Sequence, residues 1–209
     1  MSDKFHALVL GATGLVGKQL VNQLLVDKRY ESVTLLLRKP LAQNLFIDSN
    51  KKLQPLVIDF NRLDEYQGYF GAEHIYVCLG TTIKKAGSRA NFRRVDFEYV
   101  HIAAQLARAQ RAASFVWISS VGANAKSRNF YLRVKGELEN AIMKMTGLEH
   151  ASGVRPSLLL GEREEKRFGE WLGACLAKIM APLFKGKLAK YRPVSAYEVA
   201  AQMIRLQRF

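Results

Sequence analysis

Three evenly spaced glycines, placed between a short apolar run and a helix-like segment, constrain this chain more than any other feature. The run Leu8-Val9-Leu10 leads directly into Gly11, Gly14 and Gly17. Glycine permits a sharp turn, a close approach of a diphosphate to the backbone, and tight packing of helix on strand. The first N–H groups of the helix and its positive dipole end then face the phosphates. The pattern predicts a phosphate-binding turn, and the alternative is a loop that merely connects strand to helix.

Strand-like runs recur along the chain, with helix-like segments between them. The runs are apolar and lack period-two alternation, as expected for strands that are covered on both faces. They occupy residues 7–10, 33–37, 56–58, 75–79, 115–119 and, later, 157–160. Amphipathic spacing predicts helices after the first run, before the fifth run and near 196–208. We therefore predict one α/β domain over 1–209, a doubly wound and mostly parallel sheet with helices on both faces.

The net charge of the chain indicates which classes of binding partner to consider. Lysine and arginine number 32 against 18 aspartates and glutamates, a formal net charge of +14. Such a charge attracts polyanions, for example a phosphorylated cofactor, a nucleic acid or an acidic membrane. The cations are spread along the chain, however, and their densest segment, 84–94, lacks the aromatic interleaving of a single-strand binder. We expect no specific nucleic-acid site.

Export, membrane insertion and metal binding are not expected either. The apolar run near the N-terminus is too short for a signal-peptide core, and longer apolar stretches are interrupted well before the roughly 18 residues that cross a bilayer. Cys78 and Cys175 are far apart and, like the 4 histidines, lack metal-ligand spacing. The sequence predicts a cytoplasmic protein with no membrane span and no metal.

The residues behind the second strand-like run indicate which dinucleotide the turn would hold. An acid at this place would accept the ribose hydroxyls of NAD, but the chain has Arg38 and Lys39 with no carboxylate nearby. A guanidinium can bind a 2′-phosphate with two hydrogen bonds, and a lysine adds a positive charge. NADP(H) is therefore the expected cofactor. The alternative is that Arg38 and Lys39 are surface residues that bind no ligand.

Other cofactor contacts are expected where the third and fourth runs end. Asp59 is placed to accept a hydrogen bond from the adenine amino group, and the segment around Gly80 permits close passage of the cofactor's central part. Both segments are equally consistent with ordinary strand-end turns. Together with the glycine turn, the predicted cofactor contacts are Gly11, Thr13, Gly14, Leu15, Val16, Gly17, Arg38, Lys39, Asp59, Leu79, Gly80 and Thr81.

A candidate catalytic group follows the fifth run. Tyr131 and Lys135 are four residues apart and share one face of a predicted helix. An ammonium near a phenol favours the phenolate, so that Tyr131 could exchange a proton with a substrate oxygen while Lys135 holds the nicotinamide ribose. Ser119 and Ser120 end the run at the carboxyl edge of the sheet, and either hydroxyl could share the developing negative charge. The alternative is a serine helix cap beside an exposed helix.

These residues resemble the short-chain dehydrogenase/reductase superfamily in its atypical branch, and more closely the Tat-interacting-protein-like oxidoreductases. The resemblance extends from near residue 5 to about 172. The segments that carry it are Gly11-Ala-Thr-Gly14, Leu36-Leu-Arg38-Lys39, Cys78-Leu-Gly80-Thr-Thr82, Arg94-Val-Asp96, Ser119-Ser120, Asn129-Phe-Tyr-Leu-Arg-Val-Lys-Gly-Glu137, Arg155-Pro156 and Gly169-Glu-Trp-Leu172.

The resemblance implies a Rossmann fold that binds NADPH, with Tyr131 and Lys135 as the catalytic pair. It also implies that Arg155 and Pro156 open the sixth strand, which lines the nicotinamide pocket with backbone groups, and that 161–195 forms a small substrate-side lobe. The function expected from it is reduction of a small carbonyl-like substrate by hydride transfer. The alternative is a regulatory NADPH-binding protein that acts through a protein partner. That partner could be a second protein or another copy of this chain.

Overall fold

A six-stranded parallel sheet forms the centre of the molecule. The computed structural model describes residues 4–157, 159–160 and 194–209. The sheet has the order β3-β2-β1-β4-β5-β6, and each neighbouring pair is parallel. Its strands are β1 (Phe5–Leu10), β2 (Tyr30–Leu37), β3 (Leu53–Val57), β4 (His74–Val77), β5 (Ser114–Ile118) and β6 (Ala151–Val154). This is the doubly wound Rossmann order, in which the chain changes direction across the sheet between β1 and β4 and ligands bind at that point.

Helices cover both faces of the sheet, as the sequence predicted. The helical elements are α1 (Leu15–Val26), a 3₁₀-helical segment (Phe60–Gly71), α2 (Ile83–Ala86), α3 (Arg89–Arg93), a π-helical turn (Arg94–Glu98), α4 (Tyr99–Ala109), α5 (Phe130–Met143) and α6 (Ala196–Arg205). Alternate residues of each strand enter different cores, because successive side chains of a strand point to opposite faces. Val9 packs with residues of α1 and α6, whereas Leu8 packs with residues of α4 and α5.

The prediction for the sixth strand was wrong. It placed this strand at 157–160, but β6 of the main sheet is Ala151–Val154, and β7 (Leu159–Leu160) pairs instead with β8 (Val194–Ser195) in a separate two-stranded sheet. The segment Ala-Ser-Gly-Val has no apolar run, and at Gly153 it lies against the Trp117 indole. A Cβ atom on Gly153 would lie 2.8 Å from that ring, so the strand needs a glycine there. Apart from Val194–Ser195, the predicted lobe over 161–195 lies outside the described residues.

The last residues of the chain pack against the amino-terminal ends of β2 and β4. His74 Nε2 lies 2.7 Å from the Arg208 carbonyl oxygen, so this nitrogen carries the proton and donates it. His74 Nδ1 then accepts from the Tyr30 hydroxyl at 2.7 Å, and Tyr30 accepts in turn from the Tyr76 hydroxyl at 2.7 Å. The Phe209 ring packs edge-on against His74 at 4.9 Å. A buried polar network therefore ties the C-terminus to β2 and β4.

The described residues contain neither a helix long and apolar enough to cross a membrane nor a metal-binding cluster of His, Cys, Asp and Glu. Cys78 is half-buried, and its thiol lies 3.8 Å from the Met203 sulfur. Burial raises the pKa of the Cys78 thiol to about 12, so this thiol is protonated at neutral pH. Cys175 lies outside the described residues.

Candidate cofactor site

The glycine turn lies where the loops after β1 and β4 meet. Gly11 has a φ of +83°, and a Cβ atom there would lie 2.6 Å from the Cys78 carbonyl carbon. A Cβ atom on Gly17 would overlap the Gly11 carbonyl oxygen. Gly14 differs from both, because its backbone is extended and a Cβ atom would come no closer than 3.4 Å to its neighbours. The fold thus requires glycine at two of the three positions, and at the third it leaves space for a Cβ atom at ordinary contact distance.

The first turn of α1 offers backbone donors to that space. Gly14 is the N-cap residue and, within the described residues, no side chain hydrogen-bonds to this helix end. The N–H groups of Leu15, Val16 and Gly17 have no acceptor within the helix. The Val16 side chain is buried in the core, so that only its backbone can reach a ligand, whereas Thr13 is exposed. Free donors at the positive end of a helix form an anion site.

Two predicted adenine-side residues, Arg38 and Asp59, follow neighbouring strands and are exposed. Asp59 also accepts hydrogen bonds from the backbone and side-chain nitrogens of Asn61, at 2.9 and 3.0 Å, and so begins the 3₁₀-helical segment. The Tyr99 hydroxyl donates to the Asn61 side-chain oxygen at 2.8 Å. Burial raises the pKa of Tyr99, while Arg94 and Arg38 lower it. Arg94, which was not predicted as a cofactor contact, therefore acts electrostatically on the same phenol as Arg38.

The loop after β4 is fixed by a buried carboxylate. The Thr81 backbone N–H donates to Asp96 Oδ2 at 2.8 Å, and a Cβ atom on Gly80 would lie 3.6 Å from Asp96 Oδ1. Leu79 packs against the core that contains α4 and α5. Asp96 lies in the π-helical turn between α3 and α4. The predicted cofactor loop is thus attached through the Asp96 side chain to the π-helical turn that precedes α4.

The same carboxylate holds the predicted catalytic lysine. Lys135 Nζ lies 2.8 Å from Asp96 Oδ1 and donates to the Ile118 carbonyl oxygen at 3.3 Å. The side chains of Lys135 and Asp96 are only 2% and 1% exposed. Burial raises the pKa of Asp96, against the opposing effects of Lys135 and the Thr81 N–H. The sequence predicted Lys135 beside the Tyr131 phenol, and its ionic partner Asp96 was not predicted.

The hydroxyl candidates differ in what they contact. Tyr131 is half-buried, and its ring centre lies 5.6 Å from that of Phe92. The Ser119 hydroxyl is buried and has no hydrogen-bond partner among the described residues, whereas Ser120 donates to the Val121 carbonyl oxygen at 3.3 Å. The side chain of Asn129 caps α5, accepting from the Leu132 N–H at 3.2 Å. Neither serine is therefore needed as the cap of this helix.

Comparisons with known proteins identify the family. A family model described as NAD(P)H-binding matches residues 11–168. The chain belongs to this family. It is an atypical short-chain dehydrogenase/reductase of the Tat-interacting-protein-like kind. The rat protein HTATIP2 is 39% identical over 78% of this chain and 66% of its own length, so the matched part is slightly less than two thirds of that relative. The protein FMP52, mitochondrial, of Candida albicans is 35% identical over 91% of this chain and 82% of its own length.

Solved structures of low sequence identity share the fold. MoeE5 in complex with UDP-glucose and NAD superposes with a TM-score of 0.70 at 14% identity, covering 97% of this chain and 71% of MoeE5. A short chain dehydrogenase family protein from Francisella tularensis gives a TM-score of 0.66 at 13% identity, covering 98% of this chain and 91% of its own. These likenesses agree with the strand order and extend to the fold alone.

In this short-chain dehydrogenase/reductase, α5 is held closely against its surroundings. A Cβ atom on Gly136 would overlap the backbone of Asn124 and Ala125, so the helix lies directly on the loop that follows β5. Arg155 donates two hydrogen bonds to Glu139, at 2.8 and 2.5 Å, and this partner raises the pKa of Arg155. The predicted cofactor residue Arg155 thus contacts α5 with its side chain.

Pro156, the other predicted cofactor residue behind β6, is buried. Its carbonyl oxygen accepts from the Val121 N–H at 3.0 Å, which joins the segment after β6 to the loop after β5. This is the loop that begins with Ser119 and Ser120. The backbone at Pro156 therefore lies beside the serines at the carboxyl edge of the sheet.

Proposed function

We propose that this protein is an NADPH-dependent reductase of a small carbonyl compound. The observation that carries the proposal is that position 14 is a glycine although the fold does not need one there. A Cβ atom on Gly14 would make only ordinary contacts. This residue adjoins the free amides of α1 at the point where ligands bind in doubly wound sheets. A diphosphate fits there because a backbone without a side chain can approach it closely.

The cofactor's two ends would be held by residues from different strands. The N–H groups of Leu15 and Val16 would donate to the diphosphate. Arg38, supported by Lys39, would bind the 2′-phosphate, since both side chains are exposed at the end of β2. An additional cation, Arg94, acts electrostatically on the same Tyr99 phenol as Arg38, and its positive charge would favour a phosphorylated ribose over an unmodified one.

Three side chains would serve the reduction itself. NADPH, when bound, would supply the hydride that reduces the carbonyl carbon. The Tyr131 phenol gives its proton to the carbonyl oxygen, so that an alcohol forms, and Tyr131 regains a proton from solvent. The buried and unpartnered Ser119 hydroxyl supports the assignment of this serine, rather than Ser120, as the donor to the developing oxyanion. Lys135 would hold the nicotinamide ribose through its ammonium group.

A fluorescence titration with NADPH and with NADH tests the cofactor assignment, and a carbonyl panel tests the reaction. We expect a clear preference for NADPH and consumption of NADPH with at least one small aldehyde or ketone. Equal affinity for the two cofactors would overturn the NADPH assignment. Binding without consumption across the panel would favour a regulatory role through a protein partner.

The cellular location stays a prediction. The sequence indicates a cytoplasmic protein, whereas fungal relatives are named mitochondrial. Imaging of the full chain with a C-terminal fluorescent tag, beside a mitochondrial marker, decides between the two compartments. Diffuse signal is expected, and overlap with the marker would contradict the cytoplasmic assignment.

A further inference from the structure

Arg89 is a cation close to the proposed catalytic tyrosine, and the proposed reaction gives it no task. It is exposed at the start of α3. Its guanidinium carbon lies 5.2 Å from the centre of the Phe130 ring, and Phe130 directly precedes Tyr131 on α5. Among the described residues, no carboxylate forms an ion pair with Arg89. An aromatic ring attracts a cation without neutralising it, so this guanidinium keeps its charge and its N–H donors for an anion.

A shared aromatic contact joins the surroundings of Arg89 to Tyr131. The ring centre of Phe92, further along α3, lies 5.8 Å from that of Phe130 and 5.6 Å from that of Tyr131. Phe92 is buried, whereas the other two rings are half-buried. The three rings therefore form one aromatic group between the guanidinium and the phenol. A substrate whose carbonyl group reaches Tyr131 can extend along this group toward Arg89.

The positive charge around Phe130 exceeds the acid that is available to it. The guanidinium carbon of Arg133 lies 5.6 Å from the same ring. Arg93 holds the nearby Glu137 carboxylate at 2.5 Å, and Arg133 approaches that carboxylate only to 4.0 Å. Arg89, Arg93 and Arg133 thus share one acid. Like charges held close together repel each other, and a bound anion would relieve this repulsion.

The cofactor does not account for this excess of positive charge. Its diphosphate is assigned to the amides of α1, and its 2′-phosphate is assigned to Arg38. The segments 79–95 and 119–133, which follow β4 and β5 and contain the predicted cofactor loop and Tyr131, have no aspartate or glutamate. A site lined by one sign of charge raises the local concentration of ligands of the opposite sign. The arrangement therefore favours a second anionic ligand beside the cofactor.

We infer that the substrate carries a carboxylate or a phosphate, and that Arg89 binds this group while the carbonyl oxygen meets Tyr131. The inference rests on the proposed function, and it narrows the substrate from a small carbonyl compound to an anionic one. Carboxylate and phosphate both present pairs of oxygens that suit the planar donors of a guanidinium. Arg89 is thus the residue that discriminates an acid from its uncharged analogue.

Paired substrates test the inference through steady-state NADPH consumption. One series contains ω-oxo acids of increasing chain length, each beside its uncharged methyl ester. Glyceraldehyde phosphate beside glyceraldehyde makes the same comparison for a phosphate. Wild type should show a kcat/KM about tenfold higher for the charged member of one pair, the effect of one charge-assisted hydrogen bond. The pair with the larger ratio identifies the anion.

Two substitutions at Arg89 and one elsewhere define the contact. Arg89→Gln should reduce the ratio between the charged and the uncharged substrate about tenfold. Arg89→Lys keeps the charge but not the planar set of donors, so it should retain part of the preference. Arg205→Gln is the matched control, because it removes the same charge from an exposed arginine in the last turn of α6. The control should keep the wild-type ratio, and added salt should reduce that ratio in wild type.

A binding measurement separates this inference from the proposed reaction. Calorimetric titration of the NADP⁺-loaded protein with the matching ω-hydroxy acid should give a binding signal that Arg89→Gln loses. Equal treatment of acid and ester by wild type in both assays would overturn the inference, as would an Arg89→Gln variant that keeps the preference. Consumption of NADPH with uncharged carbonyl compounds alone would overturn the inference and leave the proposed function intact. Acid binding without any NADPH consumption would instead support the anion site and overturn the proposed function.

Discussion

The substitution Gly14→Ala separates what the fold needs from what the cofactor needs. Alanine can adopt the backbone of Gly14, with φ −74° and ψ 171°, and its methyl group would meet the Gly11 carbonyl oxygen at 3.4 Å, an ordinary contact. Alanine is a poorer N-cap than glycine, by up to about 1 kcal/mol, but it also lowers the entropy of the unfolded chain by a similar amount. The free energy of unfolding should therefore change by less than about 1 kcal/mol.

The effect of Gly14→Ala on cofactor affinity should be much larger. The added methyl group would lie at the N-cap of α1, next to the free amides against which the diphosphate is proposed to lie. Hydrogen bonds to a charged group contribute roughly 1.5–3 kcal/mol each, and about 1.4 kcal/mol corresponds to a tenfold change in affinity. Displacing the diphosphate from one amide should thus weaken NADPH binding about 10- to 100-fold.

The assay combines thermal unfolding with NADPH fluorescence titration on the same preparations. Gly71→Ala is the matched control, because a Cβ atom there meets nothing within 4 Å and the residue lies away from the turn. Gly11→Ala, with its φ of +83° and a clash on Cys78, should instead lose more than about 2 kcal/mol of stability. A folded Gly14→Ala variant with wild-type affinity would refute the reasoning, as would unfolding as severe as that of Gly11→Ala.

Three other substitutions give distinct outcomes. Tyr131→Phe should keep NADPH affinity and lower turnover by roughly 10²- to 10⁴-fold, and unchanged steady-state turnover would remove Tyr131 as the proton donor. Arg38→Ala should weaken NADPH about tenfold or more in the fluorescence titration while leaving NADH unaffected, because only NADPH carries the 2′-phosphate. Burial lowers the pKa of His74 from 6.5, so the unfolded chain binds the proton better and stability is lost as the pH falls below about 6.5. His74→Gln should flatten the acid slope measured by urea unfolding, whereas the exposed control His6→Gln should keep it.

Much of the fold could be predicted because its signals are local. The turn from β1 into α1 needs glycine at Gly11 and Gly17 for reasons of contact, and buried parallel strands need continuous apolar runs. These requirements act within a few residues of the chain. β6 was not predicted because Ala151–Val154 contains no apolar run, and the need for glycine at Gly153 comes from the Trp117 ring on the neighbouring strand.

The site was less predictable because its decisive contacts join distant segments. Nothing local in the sequence shows that Asp96 reaches Lys135, because the contact joins the π-helical turn to α5. The choice between Ser119 and Ser120 depends on which hydroxyl finds a partner, which only the folded loop decides. Position 136 must also be a glycine, because α5 lies directly on the backbone of Asn124. The sequence around Gly136 does not reveal this contact.

A crystal structure of the protein soaked with NADP⁺ tests the central claim most directly. We predict the diphosphate against the amides of Leu15 and Val16, beside Gly14, with the 2′-phosphate at the Arg38 guanidinium. A nucleotide bound elsewhere, with the glycine turn empty, would contradict the account.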